Sequence, residues 1–514
     1  MENGFDKRAL IAIVLSMIVL ILYQIFFMPP PPEEPPQKPE KKVTEIPAET
    51  EIVKEVQEKE YKPTKASEEK LITIETPLYR AVLSSKGATV KEWKLKKYLD
   101  DKGNEISLTK ESPVPPPLSI GFDEDFGLKN TIFDVEGNQN IVLNEGKTSV
   151  TFIFADEGIY IKRTFTFYAD DYRIDLTEEV KGKPSYWVTL GSGFGISGTE
   201  SYGGHIGPVV LKYSDRIEIK KLKQPKIYQE GLRWVAQEDK YFFSSIVPPK
   251  NAVAKIWTSK DTGEPLVAVK LPKGKHNYIV YVGPKEHDRL KMLGVGLEHI
   301  VDFGFFSILA RPLFWILKFF YKIVGNYGWA IVILTIITRI PFIPLINKGQ
   351  KSMKKLQAIQ PRMAEIREKY KKDPKKMQEE MMKLYKKYKV NPMSGCLPIL
   401  IQLPVFFALY KVLLIAIELR GAPFMFWIQD LSKKDPYYIL PIVMGITMYI
   451  QQKMTPTATE TQQQKIMQFL PIIFTFLFLN FPSGLVLYWL VSNILSIIQQ
   501  WYINKKTKLV EDQA

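Results

Sequence analysis

The residue with the clearest chemical demand in this 514-residue chain is Arg339. It lies in Thr335-Ile336-Ile337-Thr338-Arg339-Ile340-Pro341, within an otherwise apolar run from Trp329 to Ile346. A cation at bilayer depth costs about 3 kcal/mol on insertion scales, so such residues usually face a wet cavity. The alternative is that Arg339 snorkels to the cytoplasmic interface, since Ile346 ends the run soon after. Thr335, Gln402, Gln451, Gln452, Ser492 and Asn493 place further polar groups in apolar runs. They suit a cavity wall, or hydrogen bonds that pin helices together. Other motifs fall away. Gly193-x-Gly195-x-x-Gly198 matches a dinucleotide fingerprint, but the glycine-rich stretch from Thr199 to Pro208 cannot start the helix that motif needs. His205, His276, His287 and His299 lack metal-ligand spacing. No Walker A sequence occurs, and Cys396, the only cysteine, reads as a packing residue. The expectation is no enzyme activity, no cofactor and no metal.

The elements around Arg339 are hydrophobic helices. A mean hydropathy of −0.09 hides a partition of the chain. Beyond about Leu297, apolar runs become long enough to cross a bilayer. Bundle spans are expected at about 329–346, 396–419, 437–452, 466–481 and 484–503. The runs 437–452 and 466–481 are short for a bilayer and would thin it locally. Val301 to Tyr327 carries Arg311, Lys318 and Lys322 on one helical face and reads as an interfacial amphipathic helix, broken near Arg311-Pro312.

Before the bundle come three further parts. Lys7 and Arg8 precede an apolar run from Ala9 to Met28, which reads as an uncleaved anchor (1–28) with a cytoplasmic N-terminus. A Pro/Glu/Lys-rich linker follows over 29–70. From 71 to 290, short alternating runs such as Thr151-Phe152-Ile153-Phe154 predict an exported antiparallel β-sandwich. The chain is therefore multi-domain: a polytopic α-helical membrane bundle, six spans in total, with an exported sandwich.

Charge orients it. The net charge of +15 raises nucleic acid, ribosome and anionic lipid as partners, but a polytopic protein retains excess Lys and Arg on its cytoplasmic side. Residues 347–395 hold thirteen Lys and two Arg against five acids, and the tail 504–514 adds Lys505, Lys506 and Lys508. Both belong in the cytoplasm by this rule, as an even span count requires. Within 347–395, Leu356, Ile359, Met363, Ile366 and Tyr370 face Met377, Met381, Leu384 and Tyr388, predicting a helical hairpin with a kink at Pro361. It is either a basic docking arm or a solvated hairpin that fixes topology.

Four stretches then carry a resemblance: 325–345 (GNYGWAIVILTIITRIPFIPL), 391–410 (NPMSGCLPILIQLPVFFALY), 419–442 (LRGAPFMFWIQDLSKKDPYYILPI) and 481–493 (FPSGLVLYWLVSN). In order and spacing they resemble the YidC membrane-protein insertase family, in its long form from Gram-negative-type bacteria. The resemblance implies a bacterial inner-membrane protein that inserts nascent membrane proteins through a hydrophilic groove open to cytoplasm and lipid. It implies that Arg339 is the groove arginine, that Thr335 and Trp489 line the groove, and, less directly, that Tyr488 and Gln402 do. It implies a β-supersandwich for the exported domain, a substrate-receiving role for Asn391 to Gly395 and Lys348 to Lys389, and work beside the Sec translocon. The basic hairpin and tail could meet the ribosome, and lipids surround the bundle. A solute transporter would need internal repeats with paired broken helices, and a carbohydrate-processing enzyme would need clustered acids and histidines; neither pattern occurs, so no small-molecule substrate is expected.

Overall fold

The computed structural model describes residues 63–511, apart from 65, 112, 157, 199–203, 389–396 and 455–460. The expected anchor, nearly all of the linker, Asn391 to Gly395, Cys396 and the last three tail residues lie outside the described residues.

Strands run from Leu71 to Pro284 in two sheets. The smaller, among the described residues, orders Glu105–Ser107, Thr89–Leu99, Tyr79–Ser84, Leu71–Glu75 and Asn140–Val142. The spine of the larger is the antiparallel pair Arg173–Thr189 and Pro265–Pro284, with Arg173 opposite Tyr281. The alternation that predicts strands is what buries them. Along Ile159–Tyr168, Ile161, Arg163, Phe165 and Phe167 turn inward while their neighbours stay partly exposed. The antiparallel expectation has one exception: Leu71–Glu75 and Asn140–Val142 pair in parallel. Long intervening chain makes that direction possible, because a tight turn would force the antiparallel one.

Arg163 occupies a core-facing position with no side-chain exposure, and so does its partner Glu178. Its Nε donates to Glu178 Oε1 at 2.7 Å, and its Nη1 donates to the carbonyls of Ala88 and Leu118, each at 2.8 Å. Ala88 and Leu118 hold φ of 49° and 62°, a left-handed region that non-glycine residues rarely enter. The guanidinium thus fixes two strained backbone turns to the larger sheet, and charge-assisted hydrogen bonds offset the strain.

Ten helices follow among the described residues: α1 (His287–Met292), α2 (Ser307–Val324), α3 (Tyr327–Arg339), α4 (Ile343–Ala358), α5 (Gln360–Lys369), α6 (Pro374–Lys387), α7 (Leu397–Ile415), α8 (Ile439–Met454), α9 (Thr461–Phe478) and α10 (Ser483–Glu511). α2 passes through Pro312 without the expected break. Pro312 lies near the helix start, so little of the hydrogen-bond ladder precedes it. Ala310, Leu313, Phe314 and Leu317 are buried, while Ile308, Trp315, Phe319 and Ile323 form an exposed apolar stripe. Pro361 does not kink a helix either. The chain breaks at Ile359, and Pro361 sits in the first turn of α5, where a missing N–H leaves no gap. The hairpin seam holds Leu356, Ile359, Met363, Ile366, Met381, Leu384 and Tyr388, joined by Tyr385; Tyr370 and Met377 are not part of it.

The sandwich sits on the bundle through a charge-sorted seam, with the base on a helix or helix-flanking loop each time. Lys318 of α2 meets Asp288 at 2.5 Å, Lys411 of α7 meets Asp302 at 3.2 Å, and Lys433 meets Asp101 at 2.5 Å. Burial works against the Asp302 carboxylate, yet Lys411, the Gly304 N–H and Arg216 outweigh it and hold its pKa below the ordinary value. Ile417, just past α7, inserts into the sandwich core.

Removing one half of a buried ion pair strands the other charge and costs about 3–5 kcal/mol, whereas replacing both with apolar groups is often nearly neutral. Arg163→Met alone should therefore lower the thermal unfolding midpoint of the sandwich in the full-length protein by several degrees. Adding Glu178→Leu should recover most of that loss. Independent, additive losses from the two changes would contradict the bracing role.

Candidate functional site

The chain enters the site through two adjacent signals. Gly325, at φ 67°, ends α2 in the left-handed conformation. Asn326 then caps α3, its Oδ1 accepting from the Trp329 N–H at 3.2 Å and its Nδ2 donating to the Pro423 carbonyl at 3.0 Å. This starts α3 on a fixed phase and turns Thr335, Thr338 and Arg339 toward α10. A short 3-10 turn over Ile340–Phe342, with Pro341 in it, passes the chain into α4.

Between α3, α7 and α10 lies a narrow cavity, with room for about one water, lined by Thr335, Thr338, Arg339, Phe342, Val405, Tyr488 and Ser492. The walls are polar on the α10 side because Tyr488, Ser492, Ser496 and Gln499 recur at helical spacing. Arg339 reaches across to them. Its Nη1 donates to the Ser492 carbonyl, and to Ser492 Oγ at 3.2 Å; its Nη2 donates to Ser496 Oγ at 2.5 Å. Its Nε is buried with no hydrogen-bond partner. No ion pair to Arg339 occurs among the described residues, so its partners are neutral oxygens. Further along the seam, Gln499 Nε2 donates to Asn347 Oδ1 at 2.7 Å.

Of the residues expected at the site, the structure brings Thr335, Arg339 and Tyr488 together. Thr335 is 2 % exposed, and its hydroxyl donates to the Ile331 carbonyl at 2.6 Å, so it offers the cavity only lone pairs and a methyl. Tyr488, one of the less direct assignments, lines the cavity. Trp489, the next residue, is turned away into an aromatic cluster with Phe406, Phe474 and Phe478 at centroid distances of 4.7, 5.7 and 5.0 Å. It backs the wall without forming it. Gln402 falls in α7, but its side chain lies outside the described residues. Thr338, Phe342 and Val405 line the cavity and Ser496 accepts from Arg339 Nη2, and the sequence reading singles out none of the four. The recurrence of Ser492 and Ser496 four residues apart on an apolar helix was the available signal for Ser496.

The bundle's exterior is the reverse of this interior. Ile442, Val443, Ile446 and Ile450 on α8, and Phe469, Ile472, Ile473, Phe476 and Leu477 on α9, are exposed apolar side chains. Surfaces of that kind suit lipid and not water. Two continuous helical stretches, Tyr327–Ser352 and Ser483–Lys505, are long and apolar enough to cross a membrane. Where α8 meets α9, a Cβ on Gly445 would lie 1.9 Å from Thr475 Oγ1, so only glycine permits that approach.

An apolar-sheathed helical bundle around Arg339, carrying a β-sandwich, defines an integral membrane protein. Two family models match along the chain: the YidC periplasmic domain over residues 71–316 and the 60Kd inner membrane protein over 319–511. The membrane protein insertase YidC of Syntrophus aciditrophicus is 43 % identical over 98 % of this chain and 100 % of the relative. That of Geotalea uraniireducens is 41 % identical over 97 % and 99 %. The chain belongs to the YidC membrane protein insertase family. A crystal structure of an active YidC insertase with its first transmembrane domain resolved covers 95 % of this chain and 98 % of its own, at 18 % identity and a TM-score of 0.40.

If the cavity takes up water, a cysteine at Thr338 should react with a water-soluble maleimide, in a background where Cys396 is serine. A cysteine at Ile336, whose side chain is exposed on the outer face, should stay unreactive in proteoliposomes. Equally poor labelling of both would mean a dry bundle.

Proposed function

We propose that this chain, a membrane protein insertase by family, works by lending its α3–α7–α10 cavity to the polar segment of a nascent protein while the adjoining apolar segment enters lipid. The observation that carries this reading is the Arg339 cation, held by neutral oxygens inside an apolar-sheathed bundle. Such a charge is uncompensated, and in an environment of low polarity it attracts an anion far more strongly than it would in water. An acidic segment that pauses beside it avoids part of the several kcal/mol a bare charge costs in hydrocarbon. Partition of the substrate's own apolar helix supplies the driving force. The membrane potential adds about 2.3 kcal/mol per negative charge moved outward per 100 mV. No nucleotide or cofactor takes part.

The topology that serves this task has six spans: the anchor over 1–28 and five in the bundle. Both termini and the hairpin 347–395 lie in the cytoplasm, and the sandwich lies in the periplasm. At 1.5 Å per residue, the 16-residue α8 is about 24 Å long and the 18-residue α9 about 27 Å, both short of a hydrocarbon core of about 30 Å. A bilayer thinned around them shortens the path that a polar segment must travel. The lysine-rich hairpin receives the emerging chain, with the ribosome and the Sec translocon as partners. Its exposed basic face and narrow apolar seam, which leaves its surface free, support that role.

Arg339→Lys keeps the cation, Arg339→Ala removes it and Arg339→Glu inverts it. At equal protein levels, insertion of a substrate with an acidic exported tail should rank Lys above Ala above Glu. A neutral-tailed substrate should respond much less. Equal insertion of both substrates by all three variants would leave Arg339 as a snorkelling anchor.

A further inference from the structure

The guanidinium of Arg339 has one bidentate edge that suits a carboxylate side-on, formed by Nε and Nη2. The two prongs of that edge are in different states. Nε is buried and has no partner. Nη2 is engaged by Ser496 Oγ at 2.5 Å. The hydroxyl is itself held, because Ser496 Oγ donates to the Ser492 carbonyl at 2.9 Å, which leaves its lone pairs aimed at the arginine. Nη1, on the other edge of the planar group, is tied to Ser492 through both its carbonyl and its hydroxyl.

We infer that Ser496 is a specificity-determining positioning residue for the insertion site: at rest its hydroxyl occupies the second prong of the Nε–Nη2 fork, and an incoming substrate carboxylate must displace it. The inference rests on the reading of Arg339 as the cation that meets acidic segments. Ser492 keeps Nη1 throughout, so the guanidinium is not released when the fork opens. The carboxylate gains Nε, which has no hydrogen-bond partner within the protein, and exchanges places with one neutral acceptor at Nη2. A neutral polar segment can accept from Nε alone and leaves the Ser496 contact in place. The exchange therefore favours acids over neutral polar groups, and it limits how long an acid stays, because the hydroxyl can return.

Three substitutions separate this from a packing role. Ser496→Ala empties the prong, Ser496→Asn offers another neutral acceptor, and Ser496→Asp places a permanent carboxylate beside the arginine. The readout is the ratio of acidic-tail to neutral-tail insertion by the full-length protein in proteoliposomes, with Arg339→Ala measured in parallel. Ser496→Asp should lower the ratio roughly tenfold, the scale of one hydrogen bond to a charged group. Ser496→Ala should raise it, Ser496→Asn should leave it near that of the parent, and none should change it once Arg339 is alanine. If Ser496→Asp and Ser496→Ala depress both substrates alike, or leave the ratio unchanged while Arg339→Ala lowers it, the gating role is wrong. If Arg339→Ala itself leaves the ratio unchanged, the reading of Arg339 fails, and the inference with it.

Discussion

A cation that has left water without finding a counter-charge is the constraint around which the bundle is arranged. Arg339 is half-buried between helices whose outer faces are apolar, and the described residues supply it only with oxygens that carry partial charge. Its desolvation must be met by geometry, which is why one face of α10 is polar for several turns and why α3 is capped so firmly at Asn326. A misphased α3 would turn the guanidinium into lipid. On the proposed reading the same incompleteness gives the cavity its use, since a site fully satisfied by an internal carboxylate would have little to offer a passing acid.

The sandwich uses the opposite solution to the same problem. Arg163 is more deeply buried than Arg339, yet it has Glu178 and two carbonyls. That arginine is structural because its charge is answered within the fold. Arg339 has no paired acid among the described residues, and the proposed function rests on that difference and not on depth.

Much of this was legible in the sequence, and the failures have physical causes. Alternation marked strands such as the one holding Thr151-Phe152-Ile153-Phe154, apolar run length marked the bundle, and Arg339 stood out because charge in an apolar run has few bland explanations. Arg163 went unnoticed although it interrupts the inward-facing row of Ile161, Phe165 and Phe167, because a charged residue in a strand is ordinarily assigned to the solvent face. A break is expected near Pro312 and a kink at Pro361, but a proline in or near a first turn removes little of the ladder. Tyr488 and Trp489 are neighbours on a helix, so a rotation of about 100° separates them. Only the packing of Phe406, Phe474 and Phe478 decides which faces the cavity. Ser496 is signalled only by its spacing from Ser492, and that signal is weak because a serine in a membrane helix usually bonds its own backbone, as this one also does.

The charge-sorted seam between sandwich and bundle places Lys411 one turn beyond Phe407 on α7, the helix that brings Val405 to the cavity. The central claim, however, concerns the arginine and the acid that meets it. The most direct measurement is photo-crosslinking from a probe at Val405 to ribosome-bound nascent chains in which a single aspartate is moved residue by residue along the exported tail. The account predicts that the crosslinked position on the nascent chain moves with the aspartate and stops doing so when Arg339 is alanine. Crosslinks that track only the apolar segment, wherever the aspartate lies, would contradict it.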